Sequence, residues 1–257
     1  MKISIIGTGN LGWHLANVLE EAGHTIIDIY SRNSQQAKNS ASKLYSAKGT
    51  DSLDFSDSIA DVFMVAVADD AIASIASEII LPEKAIIAHT SGTRSIMDLE
   101  ACTNPKGIFY PLQTFTKSKK VDWSTIPICI EATDVATDVT LTKLAESLSK
   151  FVYFLDAAQR KKLHLSAVFA SNFSNHLLRI AKELLASQDV PFEILKPLII
   201  ETIDKALING PENSQTGPAI RKDLQTIQTH LDELRLEPQK QEIYRLMTKA
   251  IMDNKSI

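Results

Sequence analysis

Cysteine is scarce in this chain. Its 257 residues hold two, Cys102 and Cys129, and no C-x-x-C pair. Neither a disulfide framework nor a zinc site is spelled out, so no metal is expected and a reducing, cytoplasmic setting fits. Concentrated positive charge is also missing. The formal net charge is −4 and no basic block occurs, whereas a nucleic-acid surface needs clustered lysine and arginine. No apolar run approaches the ~18 residues of a membrane helix. The N-terminus begins at once with a strand pattern rather than a secretory leader. The expectation is therefore no nucleic-acid partner and no membrane partner. Internal repeats and low-complexity segments are absent too. What remains is an ordinary globular balance, 44% hydrophobic and 23% charged, over a length that fits two domains.

The first part of the chain alternates short apolar runs with amphipathic stretches. Strands are expected at Lys2–Ile6, Thr25–Tyr30, Asp61–Val67, Ala85–His89, Gly107–Tyr110, Ile126–Glu131 and Phe151–Leu155. Helices are expected at Leu11–Ala22, Ser34–Leu44, Ala71–Ile80 and Val135–Lys150. Runs apolar on both faces and separated by helices describe a parallel sheet covered by helices. From Asp156 the strand patterns stop. Helices are expected over Ala157–Ser187, over Phe192–Ile208, from Pro218, and over Pro238–Met252. The reading is α/β: a Rossmann-type parallel sheet domain, 1–155, followed by an all-helical C-terminal domain, 156–257, for substrate and dimerisation.

After the first strand comes Gly7-Thr8-Gly9-Asn10-Leu11-Gly12. A lone G-x-G-x-x-G is weak evidence, but here a strand precedes it and a helix follows. In a dinucleotide site Gly7 makes the tight turn, Gly9 lets backbone approach a pyrophosphate, and Gly12 lets helix and strand pack closely. The helix N-terminus offers free N–H groups to the phosphates. The second strand reports on the cofactor. An NAD site puts an acid at its C-terminal end. Here Asp28 stops two residues short, and the tip reads Ser31-Arg32-Asn33. Arginine there accommodates a 2′-phosphate, and Ser31 and Asn33 add hydrogen bonds, so NADP is expected. Ala66-Val67-Ala68 should pass near the cofactor's ribose, and His89-Thr90-Ser91-Gly92 should reach toward the nicotinamide. A hydrolase elbow at Ser91 would need G-x-S-x-G, which is absent.

The stretch "AAQRKKLHLSAVFASNFSNHLLRIAKELL" looks buried nearly all round, yet it is not uniformly apolar. At ~100° per residue His164, Ser171 and Asn175 fall on one stripe, with Asn172 about a quarter-turn aside and His176 beyond it. Buried polar groups need partners. Either they satisfy one another or they face a polar substrate, and histidine can donate a proton near neutral pH. "FYPLQTF", with Tyr110 and Gln113, and "TGPAIRKD", with Arg221 and Asp223 near a helix start, are candidates to join the same cleft; ordinary loop and cap chemistry is the plain alternative.

Together "IIGTGNLG", "HTSG", "YPLQTF", "KLHLSAVFASNFSNHL" and "TGPAIRKDLQTIQTHL" resemble the NADP oxidoreductases in which a Rossmann-like domain precedes a helical domain of unknown function. The resemblance spans nearly the whole chain. More distantly the layout is similar to pyrroline-5-carboxylate reductase, deazaflavin-dependent NADP oxidoreductases, ketopantoate reductase and the β-hydroxyacid dehydrogenases. The last of these carry K-x-x-N on the interdomain helix. Asn172 and Asn175 align there, so the asparagine matches and the lysine does not. The resemblance implies hydride transfer between NADP(H) and a small carbonyl or imine substrate in the interdomain cleft. His164 is the candidate proton donor, and Ser91, Asn172 and Asn175 are candidates for positioning the substrate. The rival is a non-catalytic NADP(H)-binding sensor or regulator.

A homodimer through the helical domain is the remaining expectation. A helix over Ala157–Ser187 would be about 45 Å long, apolar on most of its circumference, with too little helix elsewhere to cover it. Uncovered apolar faces mark interfaces, and a two-fold contact is the commonest solution. The related reductases pair through this domain as well. The alternative is a monomer whose C-terminal helix folds back over the exposed face.

Overall fold

The computed structural model describes residues 1–253. It divides into two compact units, Met1–Val168 and a second from Phe169 onward. Among the described residues no helix is long and apolar enough to cross a membrane.

The first unit is built on eight strands. They are β1 (Lys2–Ile6), β2 (Thr25–Tyr30), β3 (Lys48–Thr50), β4 (Val62–Val65), β5 (Ile86–His89), β6 (Lys106–Pro111), β7 (Ile128–Ala132) and β8 (Val152–Phe154). The order across the sheet is β3-β2-β1-β4-β5-β6-β7-β8. Helices α1 (Asn10–Glu21), α2 (Ser34–Ala41), α3 (Ile72–Glu78) and α4 (Val135–Glu146) cover both faces. Strand β4 shows why. All four of its residues are buried, and side chains alternate between faces with period two. Val62 and Met64 join Leu15 and Leu19 of α1 and Leu141 and Leu144 of α4. Phe63 and Val65 join Ile72 and Ile75 of α3.

Two features depart from the expected sheet. Strand β3 is an additional edge strand paired with β2; Lys48-Gly49-Thr50 offers no apolar run to betray it. The sheet is also only mostly parallel, because β7 pairs antiparallel with β6 and β8 runs with β7. A parallel return needs a crossover, usually a helix. The connection from Leu112 to Pro127 carries only a short 3₁₀ turn, Trp123–Thr125, so the chain comes back antiparallel.

Helix α5 (Ala157–Ala167) closes the first unit, so His164 counts with the sheet. The unit boundary thus falls later than the change of sequence character at Asp156. A capping box starts α5. Asp156 Oδ1 accepts from the Gln159 amide at 2.8 Å, and Gln159 Oε1 accepts from the Asp156 amide at 3.0 Å.

The second unit is helical: α6 (Ser174–Ala186), α7 (Lys196–Asn209), the short α8 (Pro211–Ser214), α9 (Leu224–Glu233) and α10 (Pro238–Asp253). The helix expected over Ala157–Ser187 is therefore not uniform. A π segment, Val168–Phe173, separates α5 from α6. Its i→i+5 bonding interrupts the 3.6-residue period that would line up His164, Ser171 and Asn175. Nor is this stretch buried all round: Leu165, Phe169 and Phe173 are 49%, 62% and 50% exposed. Pro218 does not open a helix. It begins a turn through Lys222, a residue with φ of +56°, and α9 starts at Leu224 with Asp223 as its cap. Asp223 accepts from the Thr226 amide at 3.1 Å and from the Thr226 hydroxyl at 2.8 Å, and these bonds hold its carboxyl below the usual range.

Candidate active site

Strand order reverses between β1 and β4, where Ile6 pairs with Val65. Ligands bind outside the carboxyl ends of strands at such a switch point. Gly7 follows β1 with φ of +121°, and a Cβ there would lie 2.3 Å from the Ala66 carbonyl oxygen. The turn therefore requires glycine twice over, for its dihedral and for its approach to the β4 loop. A Cβ on Gly12 would lie 2.2 Å from the Gly7 carbonyl oxygen. Gly9 differs, because a Cβ there would meet nothing within 4 Å. Its lack of side chain leaves room on the ligand side. No side chain caps the start of α1 and no acid lies in its first turn. Its N–H groups thus remain for an anion.

A cavity of about 660 Å³ opens over this turn. It is lined by Gly7, Thr8, Gly9, Asn10 and Leu11, by Ser31, Arg32 and Asn33, and by Ala66, Val67 and Ala68. Every candidate cofactor residue except Gly12 lies on its wall; Gly12 instead packs behind Gly7. Arg32 is exposed and has no ion pair among the described residues. Asn33 caps α2, its Oδ1 accepting from the Gln36 amide at 3.0 Å. Ser31 is buried and donates to Gln36 Oε1 at 3.4 Å. Asp28 is occupied inside the unit, accepting from Ser4 and Ser58 hydroxyls at 2.8 and 2.7 Å. It takes no part in this cavity, in keeping with its early position in the strand. The donor set therefore suits a dinucleotide with a 2′-phosphate: backbone N–H groups at one end, a free guanidinium at the other, and no acid at the strand tip. Gln36, Ser74 and Glu78 also line the cavity. Their signal was faint, a serine and a glutamate one turn apart on α3, joined at 2.9 Å.

A second polar cluster lies in the same unit. His89 is fully buried. Its Nδ1 accepts from the Ser91 amide at 3.2 Å, and its Nε2 lies 3.1 Å from the Ser95 carbonyl, which can only accept. Acceptance at Nδ1 requires the neutral ring, and burial pushes its pKa down to about 4. Ser91 is spent on the turn, its Oγ accepting from the amides of Thr93 at 3.1 Å and Arg94 at 3.0 Å. Next to it, Gly92 faces a pair that the sequence separates widely: Tyr110 Oη lies 3.0 Å from His164 Nδ1. A Cβ on Gly92 would stand 2.6 Å from both His164 Nδ1 and Tyr110 Cζ, so only glycine leaves the pair room. Tyr110 is 8% exposed, and burial pushes its hydroxyl up to about 12.

One turn before His164, Arg160 is buried against the sheet. It pairs with Glu131 of β7 and donates from Nη2 to the Arg94 carbonyl at 2.6 Å. This fixes α5 and hence His164. Arg160 was not singled out from the sequence, where it reads as one cation among "QRKK". Asn172 and Asn175 belong to the second unit, where both are exposed. Gln113 turns back on its own loop, accepting from the Thr114 amide at 2.8 Å. Arg221 is exposed.

Known proteins share this plan. Residues 2–92 match the family described as NADP oxidoreductase coenzyme F420-dependent, and residues 126–251 match the Domain of unknown function DUF2520. A crystallised Bacteroides fragilis protein assigned as an NADP oxidoreductase is 38% identical, with 98% of each chain covered and a TM-score of 0.91. A Thermotoga maritima protein of known structure is 24% identical over 97% of this chain and 99% of its own, with a TM-score of 0.77. An Aspergillus terreus reductive aminase, solved with NADPH and ethyl levulinate, shares the fold at 14% identity over 99% and 95% of the two chains, with a TM-score of 0.74. No curated protein matches. The strand order and the glycine turn define a protein of the Rossmann-type class. The chain belongs to the family of NADP oxidoreductases that join these two domains: it is an NADP-dependent enzyme. The reading as a non-catalytic regulator gives way to that membership.

Proposed function

We propose that this enzyme reduces a small carbonyl or imine compound, with His164 as the proton donor. The observation that carries this reading is the Tyr110–His164 pair, held by Gly92 in the same unit as the glycine turn. NADPH, when bound, supplies the hydride. The chain supplies orientation and the proton. Tyr110 keeps its own proton, because burial holds its hydroxyl at about 12. Its oxygen accepts from Nδ1–H of the imidazolium, and again from Nδ1–H of the neutral ring left once Nε2 has given up its proton. In both states Nε2 is the nitrogen left for the substrate. Nε2–H of the imidazolium gives its proton to the carbonyl oxygen or imine nitrogen as the hydride reaches carbon. Tyr110 thus positions His164, and Arg160 positions the helix that bears it. Arg32 supports selection of the 2′-phosphate.

The test is a screen of small ketones and imines for NADPH oxidation. His164→Ala should lower turnover by roughly 10²–10⁴ while retaining cofactor binding and fold. Arg32→Ala should weaken NADPH and leave NADH unchanged. A fully active His164→Ala variant would refute the proton-donor role, and equal affinity of the parent for the two cofactors would refute that of Arg32.

We also propose that the helical unit pairs with a second copy. On α7, Leu198, Leu207 and Ile208 are 62%, 80% and 80% exposed. Helix α10 packs on α6 through Lys240 and Glu183, 3.2 Å apart, yet adds exposed Leu246 and Met247 of its own. The alternative cover expected from the C-terminal helix therefore leaves a large apolar surface open.

A further inference from the structure

The connection between β6 and β7 carries three lysines, Lys117, Lys119 and Lys120. It is pinned onto α1. His14, buried in that helix, bonds the Thr116 carbonyl at 2.9 Å through Nε2, which must therefore carry the proton. Phe115 lies 5.3 Å from the His14 ring and stacks on Trp123 at 5.3 Å. One residue past this anchor Lys117 turns back, and its Nζ donates to the Thr8 carbonyl at 2.8 Å. Thr8 is the middle of the glycine turn and lines the cavity. The ammonium has three N–H groups; Thr8 takes one, and the others have no partner among the described residues. Glu21, the acid beside this loop, pairs with Lys120 instead.

We propose that Lys117 is a cofactor-binding residue whose charge serves the pyrophosphate of NADP(H), an inference that rests on reading the glycine turn as the pyrophosphate cradle. That turn offers backbone N–H groups but no cation: residues 7–12 and 66–68 carry no charged side chain. A pyrophosphate bears two negative charges, and lysine meets phosphate as a point charge without demanding a fixed fork. The short tether to Thr8 keeps that charge at the turn before the ligand arrives. Arg32 lies with Ser31 and Asn33, so the two cations serve different anions of one molecule.

The two roles separate with two ligands. NADPH has both anions, whereas 2′-AMP has the 2′-phosphate and no pyrophosphate. In equilibrium titrations of the full chain, Lys117→Ala should raise the Kd for NADPH about tenfold, the low end for a charged hydrogen bond at an exposed site. It should leave 2′-AMP unchanged. Lys117→Gln, which keeps a donor without charge, should lose as much, and Lys117→Arg should stay near the parent. Arg32→Ala should weaken both ligands. Lys117→Ala binding NADPH within twofold of the parent overturns the assignment and leaves the cradle standing. Equal loss of both ligands overturns it too, because the lysine then acts through the fold. A parent that does not bind NADPH overturns the cradle and the lysine's role together.

Discussion

Acid should destabilise the loop that carries Gly92, and His89 sets by how much. Its ring is wholly buried, and its Nδ1 accepts from the Ser91 amide, a bond that only the neutral form can make, while Nε2–H donates to the Ser95 carbonyl. Burial, aided by the nearby Arg160 charge, brings its pKa from 6.5 to about 4 despite the Ser95 bond and the Asp98 and Asp69 charges. In the unfolded chain the ring charges near 6.5. Between that pH and about 4 the unfolded state holds a proton that the native state does not. Stability therefore falls as pH falls through this window and is insensitive to His89 above it. The full difference corresponds to about 3 kcal/mol, of which about 2 kcal/mol lies between pH 7 and pH 5. Urea unfolding of the parent and of His89→Gln at those two pH values isolates the contribution, since other groups titrate alike in both. The parent should lose about 2 kcal/mol more than the variant. An equal loss in both would show that the ring is not kept neutral by burial.

Two further outcomes bear on the site and the assembly. Gly92→Ala places a methyl 2.6 Å from His164 Nδ1, where ordinary contacts begin near 3.4 Å. Turnover should fall about 10²-fold with NADPH binding unchanged, and overpacking of about 1–3 kcal/mol should lower the melting temperature by several degrees. Nitrogen NMR of the His164 ring checks this directly, and a parent-like spectrum would refute it. Light scattering should give twice the 28.3 kDa chain mass; a single chain mass across a hundredfold concentration range would refute the dimer.

The local signals in the sequence were strong where one element carried its own pattern. The glycine turn could be read because strand, glycines and helix are contiguous, and Asp28 could be set aside from its place in the strand alone. Contacts between distant segments left no such trace. Tyr110 and His164 are 54 positions apart, and neither residue announces the other. Lys117 reads as part of a solvated lysine run until His14 is seen to hold its loop. The π segment at Val168–Phe173 follows no compositional rule, so a stripe drawn at 100° per residue lost its phase there. Pro218 suits a first helical turn, but the cap that mattered was Asp223, whose carboxylate meets the Thr226 amide. The antiparallel return of β7 followed from what its connection lacks, a helix long enough to cross over.

The clasp between Arg160 and Glu131 also governs where such a chain can be spliced. A seam at Asp156 would separate a buried guanidinium from the carboxylate and the Arg94 carbonyl that receive it. A seam beyond Val168 leaves all of those partners on one side. Exchange of helical units among relatives is therefore least disruptive past that point, and His164 and Tyr110 descend with the glycine turn as a single inheritable piece.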